Sequence, residues 1–240
     1  MNVFQPVSRS TYTFGPQDNL LGVWVSKANA SHVGLAYVSP DDEKTHLLEL
    51  AAHEKLKNDA VDLSSCTKKY LVAPTQLNQD RAIFICGYLN QLALRAPTIS
   101  YGIDWIGAKG CFDANGDYKP LNGEVGLTCA TFVCEALRGC AEVIVNINSW
   151  PLDTKLGLQW KEALVQGYRD RNSIPPETLE RIESTSPVVR LHPAEMAAAA
   201  VKPPSEWPLD QPSVEPAALA LVTQFCEAFP TPAKPAPAAG

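Results

Sequence analysis

The amino-acid sequence predicts an α+β fold, an antiparallel sheet with a cysteine-bearing helix packed against it. Two observations lead there. Between Leu20 and Ala51, short apolar runs alternate with turn-forming residues, as in a meander of strands. Further on, Cys129, Phe132, Val133, Ala136 and Leu137 recur at helical spacing and form one apolar stripe.

The strands come first. Leu21–Val25, His32–Val38 and Thr45–Ala51 read as three strands, and Ser39-Pro40-Asp41-Asp42-Glu43-Lys44 as the turn joining the last two into a hairpin. Arg81–Leu94 carries Ile83, Phe84, Tyr88, Leu89 and Leu92 at helical spacing, with Pro97 beyond its end. Tyr101–Asn122 is aromatic and glycine-rich, and Asn115-Gly116 marks a hairpin turn within it. The cysteine helix starts after Thr128, a side chain able to cap it, and Gly139 is placed to stop it. Glu135 and Arg138 are expected to face away from its stripe. Cys140–Ile147 reads as a strand. Helices are expected at Trp160–Tyr168, after Pro175-Pro176-Glu177, after Pro193 and at Pro216–Phe229, with a short strand at Val188–Leu191.

Residues 1–201 are expected to form a single domain, with 150–201 as peripheral decoration. Residues 202–240 form a Pro/Ala-rich extension able to engage a protein partner. Its end, 230–240, lacks the apolar content to order itself. A net charge of −6 offers no electrostatic basis for nucleic-acid binding. No run approaches the ~20 apolar residues of a membrane span. Met1–Pro16 lacks the pattern of a signal peptide, and seven cysteines follow no disulfide framework. These features predict reduced thiols in the cytoplasm, or export without a cleaved signal.

A cysteine at a helix start faces partly positive backbone amides that favour its thiolate. A histidine can take the thiol proton, and a third polar group can orient the imidazole. The histidines are His32, His46, His53 and His192. If the hairpin pairs symmetrically about Asp41–Asp42, positions whose numbers sum to about 83 face each other, which puts Glu49 opposite Gly34. Glu49 is then a diagonal neighbour of His32, ~7–8 Å away at the backbone. His46 falls opposite Tyr37, roughly 17 Å along the strand from His32. A slip of one residue would reverse the faces and leave His46 as the alternative third member.

Segments Ser31–Tyr37, Leu47–Leu50 and Gly126–Val133 together resemble the circularly permuted NlpC/P60 papain-like superfamily, which includes YiiX-like and lecithin:retinol acyltransferase-like branches. The resemblance implies a papain-like sheet packed on the cysteine helix. It also implies Cys129 as nucleophile, His32 as base and Glu49 as the orienting group. Ala130 stands where many relatives have serine. The third position is often histidine in the acyltransferase-like branch, so Glu49 is closer to the YiiX-like one.

The resemblance implies a cysteine hydrolase that cleaves an amide in a peptide, an isopeptide or a cell-wall peptide through an acyl-enzyme, with no cofactor or metal. The alternatives are an acyltransferase, a thioesterase or esterase on lipid substrates, and an inactive binding scaffold. Other signals fit poorly. Cys129, Cys134 and Cys140 lack the close pairs of zinc sites. Asp113, Asn115, Asp117 and Glu124 follow a calcium-loop spacing, but Tyr118 replaces the required glycine and Pro120 follows. Gly102, Gly107 and Gly110 do not form a phosphate loop. Tyr101 is expected to pack, with a role near the oxyanion as its functional alternative.

Overall fold

The computed structural model describes residues 3–6, 13–17, 19–63, 66, 68–120 and 126–230. Among them lies one six-stranded antiparallel sheet. Its strands are β1 (Gln5–Pro6), β2 (Leu21–Ser26), β3 (His32–Val38), β4 (Thr45–Ala52), β5 (Lys55–Ala60) and β6 (Leu71–Pro74), in the spatial order β1-β6-β2-β3-β4-β5. The seven α-helices among these residues are α1 (Gln79–Arg95), α2 (Trp105–Ala108), α3 (Cys129–Gly139), α4 (Lys155–Arg171), α5 (Pro176–Ser184), α6 (Pro193–Ala200) and α7 (Gln211–Ala228). The mixed α+β class therefore matches the sequence reading. No helix among the described residues is long and apolar enough to cross a membrane.

The central strands β2 and β3 are buried along their whole length. On one face Val23, Val25, Leu35, Leu48 and Leu50 join the main core with α1, α3 and α6. On the other, Trp24, Ala36, Leu47 and Val72 form a smaller cluster, flanked by Val61, Leu63 and Tyr70. The β3–β4 ladder pairs Leu35 with Leu48, Ala36 with Leu47 and Tyr37 with His46, the register expected from the symmetric turn. Three strands escaped the sequence reading: the two-residue β1, β5 and β6. β5 is a polar edge strand (Lys-Leu-Lys-Asn-Asp-Ala), whose lysines suit an unpaired edge. β6 has four residues and pairs with β2 from a distance in sequence, so no local hairpin signal announces it.

Several expected elements differ. Residues 140–147 form a loop held by a single bridge, Val145 to Leu209, and not a strand. Val189 likewise makes one bridge, to Leu152, where a strand was expected. Glu135 is buried, not solvent-facing. Its carboxylate accepts from Trp105 Nε1 at 3.2 Å and the Gly110 amide at 2.7 Å, and pairs with Arg138 at 3.0 Å. Asp113 forms a tight turn, accepting from the amides of Asn115 and Asp117 and from Lys119. Glu124 of the calcium spacing lies outside the described residues.

Packing continues across residue 201, through the contact of α6 with α7. α6 is interior: Ala194 and Met196–Ala200 are buried, and the helix packs against β2, β3, α3 and α7. Its bare alanine surface reads as a weak segment, yet short side chains are what let a helix nest this closely. α7 adds a stripe of Val214, Ala218, Leu221 and Phe225 to the main core. Of residues 230–240, expected to be disordered, 231–240 lie outside the described residues. α4 and α5 form a hairpin over a separate cluster of Ile103, Val165, Ile174, Ile182 and Val188.

Candidate active site

Cys129 is the first residue of α3. Thr128 precedes it as a reciprocal cap: its Oγ1 accepts from the Thr131 amide at 3.2 Å, and Thr131 Oγ1 accepts from the Thr128 amide at 2.8 Å. The amides of a helix's first turn have no partner in the helix itself, so the thiol stands at an electropositive end. Although Cys129 is only 7 % exposed, it lines a cleft of about 410 Å³.

The chain entering α3 is held by a close crossing. Leu127 bridges Tyr101, and Gly102 passes so near Gly126 that a β-carbon on either would sit about 2.5 Å from the other's backbone. Only glycine permits that approach. The crossing brings Tyr101 beside the cysteine. Its ring meets Tyr168 at 5.6 Å edge to face, and burial, with the neighbouring Cys129 charge second, drives its phenol well above the ordinary tyrosine range. At neutral pH Tyr101 is therefore an O–H donor.

His32 opens β3 and lines the same cleft. Its Nε2 bonds Glu49 Oε2. With Nε2 engaged, Nδ1 is the nitrogen left for Cys129, whose side chain hydrogen-bonds the imidazole. Burial is the largest influence on this histidine and acts to lower its pKa. The bonds to Cys129 and Glu49 together outweigh it and raise the pKa to about 9. Glu49 shows the counterpart. Burial acts to raise its carboxyl, but the hydrogen bond and charge of His32, helped by Lys57 and Lys27, leave it below its ordinary value. Trp24 backs the imidazole, with ring centroids 5.5 Å apart. Gly34 makes room for that indole: a β-carbon there would lie 2.5 Å from Trp24 Cζ2.

The structure thus brings Cys129, His32 and Glu49 together. His46 lies elsewhere, bonded to Asp42 at 3.1 Å in the β3–β4 turn and packed on Tyr37. His192 caps α6 through Nδ1, and burial, aided by Arg190, lowers it to about 4. His53 is the cleft residue that sequence reasoning missed. Its Nδ1 accepts from the Tyr101 amide at 3.1 Å, and its Nε2 lies 3.6 Å from Glu54 Oε1. Only a contact between the β4–β5 turn and Tyr101 reveals it, and no spacing in the sequence encodes that contact.

The remaining cysteines differ from Cys129 in setting. Cys86, Cys111, Cys134 and Cys140 are buried, and burial pushes their thiols up, to about 12 for Cys86. Cys66 is half-buried and Cys226 exposed. Among the described residues no three His, Cys, Asp or Glu side chains converge as a metal site. Comparison with models of known protein families, with curated proteins and with solved structures finds no match for this chain.

Proposed function

We propose that this protein is a cysteine hydrolase that cleaves an amide bond through an acyl-enzyme, on a scaffold of the permuted NlpC/P60 papain-like kind. The observation that carries this reading is the line Cys129–His32–Glu49 opening on one cleft, with the cysteine at a helix start.

An imidazole raised to about 9 is protonated at neutral pH, the form that stabilises a neighbouring thiolate. The Cys129 sulfur attacks the scissile carbonyl, forming a C–S bond and a tetrahedral oxyanion. We assign the Cys129 amide and the Tyr101 hydroxyl, both from residues lining the cleft, as the donors to that oxygen. Collapse breaks the C–N bond as His32 gives its proton to the leaving amine. Neutral His32 then takes a proton from water, whose oxygen attacks the thioester. The carboxylic acid departs and the thiolate–imidazolium pair is restored. Glu49 keeps the ring oriented and favours its charged state throughout.

Glu49 in the third position supports a hydrolase over the acyltransferase-like reading, in which histidine is the common choice. The test is labelling with a chloroacetamide electrophile at pH 7. Cys129 is expected to react about 100-fold faster than Cys226 or Cys66, a rate that His32→Ala abolishes. Equal labelling of Cys129 and Cys226 would overturn the proposal and leave an inactive scaffold as the better reading.

A further inference from the structure

The cleft around Cys129 is cationic in a protein that is acidic overall. Lys27, Lys55 and Arg171 line it, and none of its lining residues is an aspartate or glutamate. Across the whole chain, acids outnumber Lys and Arg by 26 to 20. The three cations come from separate elements: the β2–β3 turn, the start of β5 and the last turn of α4. They are therefore gathered by the fold and not by a local run of charge. Among the described residues none has a carboxylate oxygen within 4.0 Å, while the nearby acids are otherwise occupied, Glu49 by His32 and Glu54 beside His53.

The setting of Lys27 is also costly. Lys27, Asn29 and Ala30 all hold positive φ, at 64°, 58° and 50°, a region that non-glycine residues avoid. The turn is braced from behind by α7, where Cys226 Sγ donates to Asn29 Oδ1 at 3.4 Å. A strained, buttressed turn that presents a lysine to the cleft suits a preorganised site for an anion.

We propose that the substrate carries an anionic group, a carboxylate or a phosphate, next to the bond attacked by Cys129, and that Lys27, Lys55 and Arg171 hold it. This inference rests on the reading of Cys129 as the nucleophile. Leu50, Ala163 and Leu164 supply the apolar wall against which the acyl chain lies.

The experiment compares iodoacetate with iodoacetamide, reagents that differ in charge. In both, sulfur displaces iodide, so a C–S bond replaces C–I. At low salt, the iodoacetate/iodoacetamide rate ratio at Cys129 is expected to exceed that at exposed Cys226 by about tenfold. The triple variant Lys27→Gln/Lys55→Gln/Arg171→Gln is expected to lower that ratio about tenfold, as 0.5 M salt does in the parent protein. Using a ratio cancels any change in thiolate content that the loss of Lys27 causes through His32. Lys44→Gln, in the remote β3–β4 turn, is the control for loss of a positive charge away from the cleft and leaves the ratio unmoved. A ratio unchanged in the triple variant overturns the anion site while Cys129 keeps its reactivity. If Cys129 outpaces Cys226 with neither reagent, the nucleophile reading fails, and this one with it. At constant ionic strength, protection against iodoacetamide by N-acetylglutamate or by inorganic phosphate, but not by the uncharged N-acetylglutamine amide, supports the site and identifies the carboxylate or the phosphate. Protection by neither anion overturns it.

Discussion

Glu49 bonds His32 across the β3–β4 ladder, from the position diagonal to the imidazole and not the one opposite it. That offset puts the carboxylate behind the ring, on Nε2, and leaves Nδ1 for the cysteine. It also ties the site to strand register, because a slip of one residue would turn Glu49 to the other face.

The roles within this line separate by substitution. His32→Ala is expected to lower the alkylation rate of Cys129 at pH 7 by about 100-fold or more. Glu49→Gln keeps an amide oxygen on the ring and is expected to cost about tenfold. His46→Ala, at the start of β4 and away from the cleft, is expected to stay within about twofold. Inactivity of His46→Ala beside a normal Glu49→Gln would reassign the third position and favour the acyltransferase-like branch.

The pH dependence follows from His32. Its pKa is about 9 in the folded protein against 6.5 for the ordinary residue, so the native state holds this proton more tightly. Its contribution to stability is fully present below pH 6.5 and is lost as pH rises through about 9. The loss is expected to be on the order of 1–3 kcal/mol and absent from His32→Ala. Denaturant unfolding across pH 6–10 measures it. An imidazole that titrates near 6.5 by NMR would remove its basis.

Gly34→Ala tests the support behind the histidine. The added β-carbon would meet Trp24 Cζ2 at 2.5 Å and the Leu48 carbonyl oxygen at 2.7 Å, so both indole and strand must move. A cost of about 1–3 kcal/mol is expected, with a parallel fall in Cys129 reactivity as Trp24 shifts the imidazole. Full reactivity with lowered stability would show that Trp24 does not position the ring.

Glu135→Ala tests the buried carboxylate of α3. Removing it strands the Trp105 indole N–H, the Gly110 amide and the Arg138 guanidinium. A loss of about 3–5 kcal/mol is expected from leaving a charge and two donors without a partner. Glu135→Gln, which keeps one acceptor oxygen, should cost less. Urea midpoints of the two variants decide it.

Local pattern was enough for β2, β3, β4 and α3, because the strands are short apolar runs bounded by turn-forming residues and α3 repeats its apolar residues at the helical period. The Thr128 cap and the hairpin register were legible for the same reason: both depend on residues close in sequence. That register alone predicted Glu49 as the neighbour of His32. The polar edge strand β5, the short strand β6 and the interior position of α6 were not legible. Each depends on what lies beside it, and an alanine helix or a lysine-rich strand carries no apolar signature of its own. The burial of Glu135 was hidden likewise, since its partners Trp105 and Gly110 lie far up the chain. By itself, then, the sequence determined the elements with a strong local apolar pattern and a candidate trio of side chains. Only the tertiary structure decided that His53, Tyr101 and three cations from separate elements share the cleft with Cys129, because long-range packing, unlike periodicity, leaves no mark at a fixed spacing along the chain.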